Sequence, residues 1–271
     1  MDILGLCRFS YLGEGGFKMT HDTLDERRAF LYQQERLETR FRHFEAITLP
    51  SVAGQTDPDF RLLVVIGQDF PAPYLERLQN LTRHVPQVLI RAYPAMRHRR
   101  VMIRAMRDNR GSLEQPSLQF RLDDDDAMGR DFIARFRETA EDIRALWSKH
   151  RAIAVDFNRG YVFRAGAEGL QVCAYNYAYS AIALGIIVQP GLKETIMDYT
   201  RGKLWTDMPT VTFPHEDMML RAHHDFNDSR MKHGGKNFDY APLTPGQERY
   251  FKNRFNIDNA MVKQVFSRRL E

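Results

Sequence analysis

The stretch Arg121-Leu122-Asp123-Asp124-Asp125-Asp126-Ala127, entered from the apolar run Ser117-Leu118-Gln119-Phe120, decides how the rest of this chain is read. Four adjacent carboxylates repel one another, so a folded protein keeps them where water, a cation or a metal compensates the charge. One reading places them in the solvated first turn of the following helix, where negative charge favours the positive end of the helix dipole. A disordered acidic patch conflicts with the apolar residues on both sides. The third reading is a hard-cation site at the carboxyl end of a strand, the edge of open α/β sheets where ligands bind. On an extended strand end, alternation directs Asp123 and Asp125 to one face and Asp124 and Asp126 to the other. Mg²⁺ or Mn²⁺ held by one or two carboxylates commonly completes its shell with phosphate oxygens, which makes a nucleoside diphosphate the natural ligand.

Outward from this stretch the pattern is α/β. Ile3-Leu4-Gly5-Leu6-Cys7 reads as a buried strand leading into Arg8-Phe9-Ser10 and a glycine-rich turn, Gly13-Glu14-Gly15-Gly16. The turn lacks the dinucleotide fingerprint, which counts against a Rossmann oxidoreductase. A helical period over residues 23–47, with Phe30, Leu37, Phe41 and Phe44 on one stripe, is expected to stop at Pro50. Leu62-Leu63-Val64-Val65-Ile66 reads as a strand buried on both faces of a parallel sheet. A short helix near 74–83, a strand at 88–90, a basic helix near 97–109 and the strand before Asp123 continue the alternation.

Beyond the aspartates, Phe132, Ile133, Phe136, Ile143 and Trp147 predict one long helix over 129–149. The alternation of Ile153, Val155 and Phe157 before Asn158-Arg159-Gly160 predicts a hairpin turn there. No linker composition or internal repeat divides the chain. It reads as a single domain with a nucleotide-binding half (1–127), an acceptor half (128–240) and a basic amphipathic tail (241–271).

With 271 residues, 43% apolar and 27% charged, the composition is that of a globular protein. No apolar run approaches the roughly 18 residues a membrane-crossing helix needs, and the start lacks signal-peptide character, so the expectation is a cytoplasmic protein. Two cysteines, Cys7 and Cys173, are too few for a disulfide framework or a thiolate metal site. The net charge of +4 hides a stripe over 91–110 with seven arginines against Asp108 alone. This stripe suits nucleic acid, anionic lipid, a diphosphate or a solvated helix face, and no nucleic-acid motif accompanies it. The tail interleaves Tyr250, Phe251, Phe255, Val262 and Phe266 with cations, which suits packing on the body or an anionic membrane surface.

A second acidic cluster, Pro214-His215-Glu216-Asp217, precedes Arg221, His223, His224, Asp225 and His233. It can be a general base, a metal site or the charged start of a helix. Adjacent histidines cannot both face one point on a helix, which argues against a two-histidine zinc site.

Taken together, Arg8-Phe9-Ser10, Leu49-Pro50-Ser51 with Gln55-Thr56, the run 121–127 and Glu216-Asp217 resemble the bacterial rhamnosyltransferase family, within the GT-A class of nucleotide-sugar glycosyltransferases. The resemblance implies a GT-A fold, with a mostly parallel central sheet flanked by helices. It implies a metal-dependent, inverting transfer of a sugar, named by the family as rhamnose from dTDP-rhamnose, to a glycan or lipid-linked acceptor. The clustered positive charge with interleaved aromatics and no membrane-crossing run gives the further expectation of work at the cytoplasmic face of a membrane. Carried over residue by residue, Asp125 and Asp123 would hold Mn²⁺ or Mg²⁺ with Asp126 in support. Arg8, Ser10, Arg100, Arg121, Asp123 and Asp124 would contact the dTDP- or UDP-sugar. Asp217 would be the general base, with Glu216 the second candidate. The run has four aspartates where related inverting enzymes carry a small residue at the second place, so the registers Asp123/Asp125 and Asp124/Asp126 both stay open. A sugar nucleotidyltransferase, whose glycine-rich loop would draw on Gly13, Gly15, Gly16 and Lys18, and a basic polyanion-binding module are the rival functions.

Overall fold

The computed structural model describes residues 1–14, 23–227 and 238–269; Gly15, Gly16, Lys18 and His233 lie outside the described residues. Four parallel strands form the first half of the sheet: β1 (Asp2–Arg8), β2 (Arg61–Gly67), β3 (Val88–Tyr93) and β4 (Ser117–Arg121), in spatial order β3-β2-β1-β4. The apolar runs explain the order. β1 and β2 are buried along their centres because strands flank them and helices cover both faces, whereas β3 sits at the sheet edge with Arg91 and Ala92 exposed. β5 is the two-residue strand Ala127–Met128.

The chain then builds β6 (Ala152–Gly166), β7 (Gly169–Asn176), β8 (Leu184–Val188), β9 (Thr210–Ala222) and β10 (Ala241–Pro242). β8 lies antiparallel between β4 and β6, and β9 runs parallel to β6 while pairing with β5 on its other side. The expected α/β architecture holds, and its parallel region presents the carboxyl ends of β1 and β4 side by side.

Several local expectations change. The helix over 23–47 is two helices, Leu24–Leu31 and Gln34–His43, broken where Gln33 takes an extended ψ of 132°. Pro50 does not stop the second. A π-turn, Phe44–Thr48, leads into a further helix, Leu49–Ala53, with the proline in its first turn, where a missing N–H costs nothing. The helix over 129–149 is likewise two, Phe132–Asp142 and Arg144–Trp147, separated at Ile143 by a non-helical ψ of 18°. No turn forms at Asn158-Arg159-Gly160. β6 runs straight through it, with its register against β9 shifting between Phe157 and Gly160, and the hairpin to β7 closes instead beyond Gly166. Gly160 permits this passage, because a Cβ there would sit 1.8 Å from the Met219 carbonyl oxygen.

The tail packs on the body as the helices Pro245–Phe255 and Asn259–Phe266. Phe251, Phe255, Val262 and Val265 are buried against Phe163, Leu170, Val172 and Leu220. Asn256 ends the first helix in the left-handed region, and its Nδ2 donates to the Pro50 carbonyl (2.8 Å). The arginine stripe is only partly solvated. From the helix His98–Asn109, Arg99 donates to the Met197 carbonyl (2.7 Å) and Arg107 to that of Lys193 (3.0 Å), while Arg110 donates to Leu192, so these side chains fasten the segment 192–198.

Candidate active site

The carboxyl ends of β1 and β4 open into a cavity of about 200 Å³. Arg8, Arg40, His98, Arg121, Arg201 and Arg221 line it together with Asp123, Asp125, Asp126, Ala181, Ala222 and Asn227. Arg8 ends β1 and Arg121 ends β4, adjacent parallel strands, and both side chains line the cavity. Burial lowers the pKa of Arg121, Asp123 opposes that, and the positive charges of Arg201 and Arg8 lower it further. These cations are therefore crowded against one another, and five arginines face three aspartates around one open space.

The aspartate run is a turn and not an extended strand end: the Asp126 N–H donates to the Asp123 carbonyl (3.2 Å). Alternation therefore does not sort the side chains, and Asp123, Asp125 and Asp126 all face the cavity. Asp124 does not line it. It is buried behind, 3.2 Å from Arg40, and burial with the neighbouring Asp125 pushes its pKa up to about 7 against the pull of Arg40. Asp125 shares Arg40 with it, and its Oδ2 also accepts from His224 Nε2 (2.9 Å) and Asn227 Nδ2 (3.1 Å). Burial would raise its pKa, but Arg40 and His224 outweigh that and hold it well below the usual carboxylate range. Asp126 turns Oδ1 to the Ala222 N–H (2.8 Å), and burial beside Asp125 and Asp123 raises its pKa well above the usual range. Asp123 is the most open of the four, its side chain 36% exposed.

Arg40 reaches this turn because the helix Gln34–His43 carries Arg36 and Arg40 four residues apart, beside the buried Leu37 and Phe41. Arg36 donates to Ser10 Oγ (2.9 Å), and Ser10 holds a strained φ of 44° just past β1. Ser10 thus anchors Arg36 and does not line the cavity. His43, on the same helix, lies against His224 with ring centroids 4.4 Å apart and ring planes tilted by 34°; burial and the charge of His224 lower its pKa to about 3.

Opposite the turn, Ala181 is carried by a loop with two left-handed residues, Tyr179 (φ 57°) and Ala183 (φ 54°). That loop is pinned to β6 at three points. Tyr177 N–H donates to the Asn158 carbonyl (2.8 Å), Tyr179 N–H to Asp156 Oδ2 (3.0 Å), and Phe157 N–H to the Ala183 carbonyl (3.0 Å). Asp156 is fully buried, and burial raises its pKa to about 6 despite the Tyr179 amide.

The remaining expected residues lie elsewhere. Arg100 borders a separate hollow with Ile103, Arg104, Arg107, Asp108 and Asp198. Glu216 and Asp217 are not at a helix start and do not line the cavity; they sit within β9. Glu216 accepts from Arg135 Nε (3.1 Å) and Nη2 (2.8 Å). Asp217 pairs with Arg159 (2.7 Å) and accepts from Tyr250 (2.6 Å) and Tyr161 (3.2 Å), two of these partners coming from the neighbouring strand β6 and one from the first tail helix. The sequence reading did not select Arg40, Arg201, His98 or Asn227. For Arg36 and Arg40 the available signal was position, since each precedes an apolar residue of the buried stripe by one.

Parallel strands β3-β2-β1-β4, an antiparallel β8 beside β4 and an acidic turn at the end of β4 beneath an arginine-lined cavity define the class: a nucleotide-diphospho-sugar transferase fold of GT-A type. Over residues 2–236 the chain matches, and belongs to, the family described as "Putative rhamnosyl transferase". No curated relative matches it in sequence. Similar solved structures include TarS of S. aureus, residues 1–349, with a TM-score of 0.41 and 13% identity over 82% of this chain and 60% of that one. The same protein in complex with UDP-GlcNAc aligns with a TM-score of 0.41 and 11% identity over 98% of this chain and 71% of that one. The chain thus spans about 60% of the length of TarS 1–349.

Proposed function

We propose that this protein transfers a sugar from a nucleoside diphosphate donor to a glycan or lipid-linked hydroxyl, with inversion, and that the donor is dTDP-rhamnose. The observation that carries the reading is the crowding of Arg8, Arg121, Arg201 and Arg221 around the space above the aspartate turn. Mutually repelling guanidinium groups at an open cavity gain most from a polyanion, and guanidinium forks match phosphate oxygens in pairs. In glycosyl transfer the leaving diphosphate gains charge as the glycosidic bond breaks, and these arginines would offset that charge on a diphosphate held in the cavity. Arg40 has a different task. It holds Asp125 ionised and fixed from behind, with His224 and Asn227 completing the grip.

The donor chemistry of the turn fits a hard divalent ion. Among the described residues no three or more His, Cys, Asp or Glu side chains are arranged to hold an ion alone. A magnesium-like ion commonly takes only one or two carboxylates and fills its shell with substrate phosphate and water. Asp125, kept ionised, and Asp123, open to the cavity, would hold Mn²⁺ or Mg²⁺, which when bound would neutralise part of the diphosphate charge. Under this reading the N-terminal half binds the nucleotide and the later strands the acceptor. A peripheral membrane contact would bring a lipid-linked acceptor within reach, and no helix among the described residues is long and apolar enough to cross a membrane.

Calorimetric titration of dTDP and UDP, with and without Mn²⁺, followed by release of nucleoside diphosphate from dTDP-rhamnose, tests the proposal. Asp123→Asn is the informative variant, because its exposed side chain has little to do with folding. Metal-dependent binding that weakens about tenfold or more in Asp123→Asn is expected. Binding that ignores both metal and variant would remove the ion from the reading. Pyrophosphate release from a sugar phosphate and a nucleoside triphosphate would replace transfer by nucleotidyl transfer.

A further inference from the structure

The rim of the cavity formed by His98 and Arg201 leads onto a surface that the donor does not need. There Trp205 is 63% exposed, against 40% or less for every other large exposed apolar side chain among the described residues. Its neighbour Leu204 is buried in the apolar cluster that holds Val101, Met102 and Ala105, and Arg99 of the helix His98–Asn109 donates to the Met197 carbonyl (2.7 Å), which ties the segment leading to the helix Leu204–Asp207 to that helix. Arg97, Arg100 and Lys203 are exposed on the same two segments, and their side chains make no hydrogen bond or ion pair among the described residues. The acids close by are largely occupied: Asp108 pairs with Arg104 and Asp198 with Arg107, which leaves Asp207 beside Trp205.

We propose that this face, Trp205 with Arg97, Arg100 and Lys203, seats the protein on an anionic lipid bilayer, with the cavity mouth opening at headgroup level. An indole is stable at a membrane–water interface, where its ring meets the acyl boundary and its N–H meets water. Basic side chains around it add attraction to anionic headgroups that falls off within a Debye length. A neutral sugar stacked on Trp205 would call for amide or carboxylate partners beside the ring, and the one acid there, Asp207, is outnumbered by Arg97, Arg100 and Lys203. The tail cannot serve instead, because Phe251, Phe255, Val262 and Val265 are already buried. The inference draws on the glycosyl-transfer reading only for the purpose of the contact, and the lipid test does not depend on it.

Trp147 is buried and Trp205 exposed, and the chain has two tryptophans, so a change in fluorescence on binding reports Trp205. The full-length protein is mixed at low salt with phosphatidylcholine vesicles, with or without one-third phosphatidylglycerol, and sedimented. Sedimentation only with the anionic vesicles, a blue shift of emission and release by 0.5 M salt are expected. Trp205→Ser and the double variant Arg97→Glu/Lys203→Glu should each lower the bound fraction about tenfold or more while calorimetric dTDP binding stays unchanged. Equal sedimentation with both vesicle types would overturn the proposal. So would emission that responds to a soluble oligosaccharide and not to vesicles. If dTDP binding fails in the unaltered protein while vesicle binding persists, the donor reading falls and the membrane face stands.

Discussion

The turn at residues 123–126 and the pair Glu216-Asp217 are both runs of carboxylates, yet their counter-charges are distributed in opposite ways. At the turn, Arg40 closes the charge from behind, while the arginines in front face open space and crowd one another. On β9, Arg135 takes Glu216, and Arg159, Tyr161 and Tyr250 take Asp217, so the charge is closed within the fold. Similar acidic runs therefore differ in whether arginines gather beside them at an open cavity, as five do at the turn, or pair with them inside the fold.

The largest effect that would sharpen this contrast is expected from Asp125→Ala. Donor turnover should fall by roughly 10²-fold or more, because both the fixed carboxylate and the grip of His224 and Asn227 are lost. The same change strands Arg40 in the interior and should lower unfolding free energy by roughly 3 kcal/mol, near the low end for a broken buried pair because Asp124 remains 3.2 Å away. Denaturant melts beside donor kinetics read both. An unchanged melt would show that Arg40 does not depend on Asp125.

Asp217→Asn probes the other side of the comparison. With the Arg159 pair and the Tyr250 bond weakened, stability should fall by about 2–3 kcal/mol while turnover at saturating donor stays within a few-fold. A loss of about 10²–10⁴-fold with donor binding intact would break the comparison and assign Asp217 the base role that the family resemblance implies.

The smallest effect concerns Asp156. Its folded-state pKa of about 6 lies above the unfolded value near 4, so between those pH values the folded protein holds a proton that the unfolded chain releases. Its contribution to stability is therefore present in acid and declines as pH rises through that window, by on the order of 2–3 kcal/mol at most. Asp156→Asn should flatten this decline in melts taken from pH 4 to 7. An identical slope in the variant would detach Asp156 from the loop that carries Ala181.

Much of this was legible in the sequence where the signal is local. The apolar runs of β1, β2 and β4 read as buried strands, and the aspartates follow β4 directly. The shape of the acidic run was not legible, because a turn and a strand end differ by one backbone hydrogen bond that composition does not encode. Arg40, His98, Arg201 and Asn227 reach the cavity from four distant segments, which no spacing rule links. Asn158-Arg159-Gly160 has the composition of a turn, yet the glycine serves a close crossing with β9. Glu216-Asp217 reads like an active-site pair from one dimension; its partners come from β6, from the tail helix and from the helix Phe132–Asp142.

β6 has a consequence for how this chain can be divided. Its opening residues pair with β8 inside the main sheet, its later ones pair with β7, and β9 follows it from Ala154 to Phe163. A fragment ending at Ala127 would lose β8 and leave β4 as a bare edge, its apolar face and unpaired amides open to another chain. Residues 1–127 are thus not a transplantable module. Exchange of the cavity between relatives has to carry the fifteen residues of β6 and their partners along, or proceed one side chain at a time.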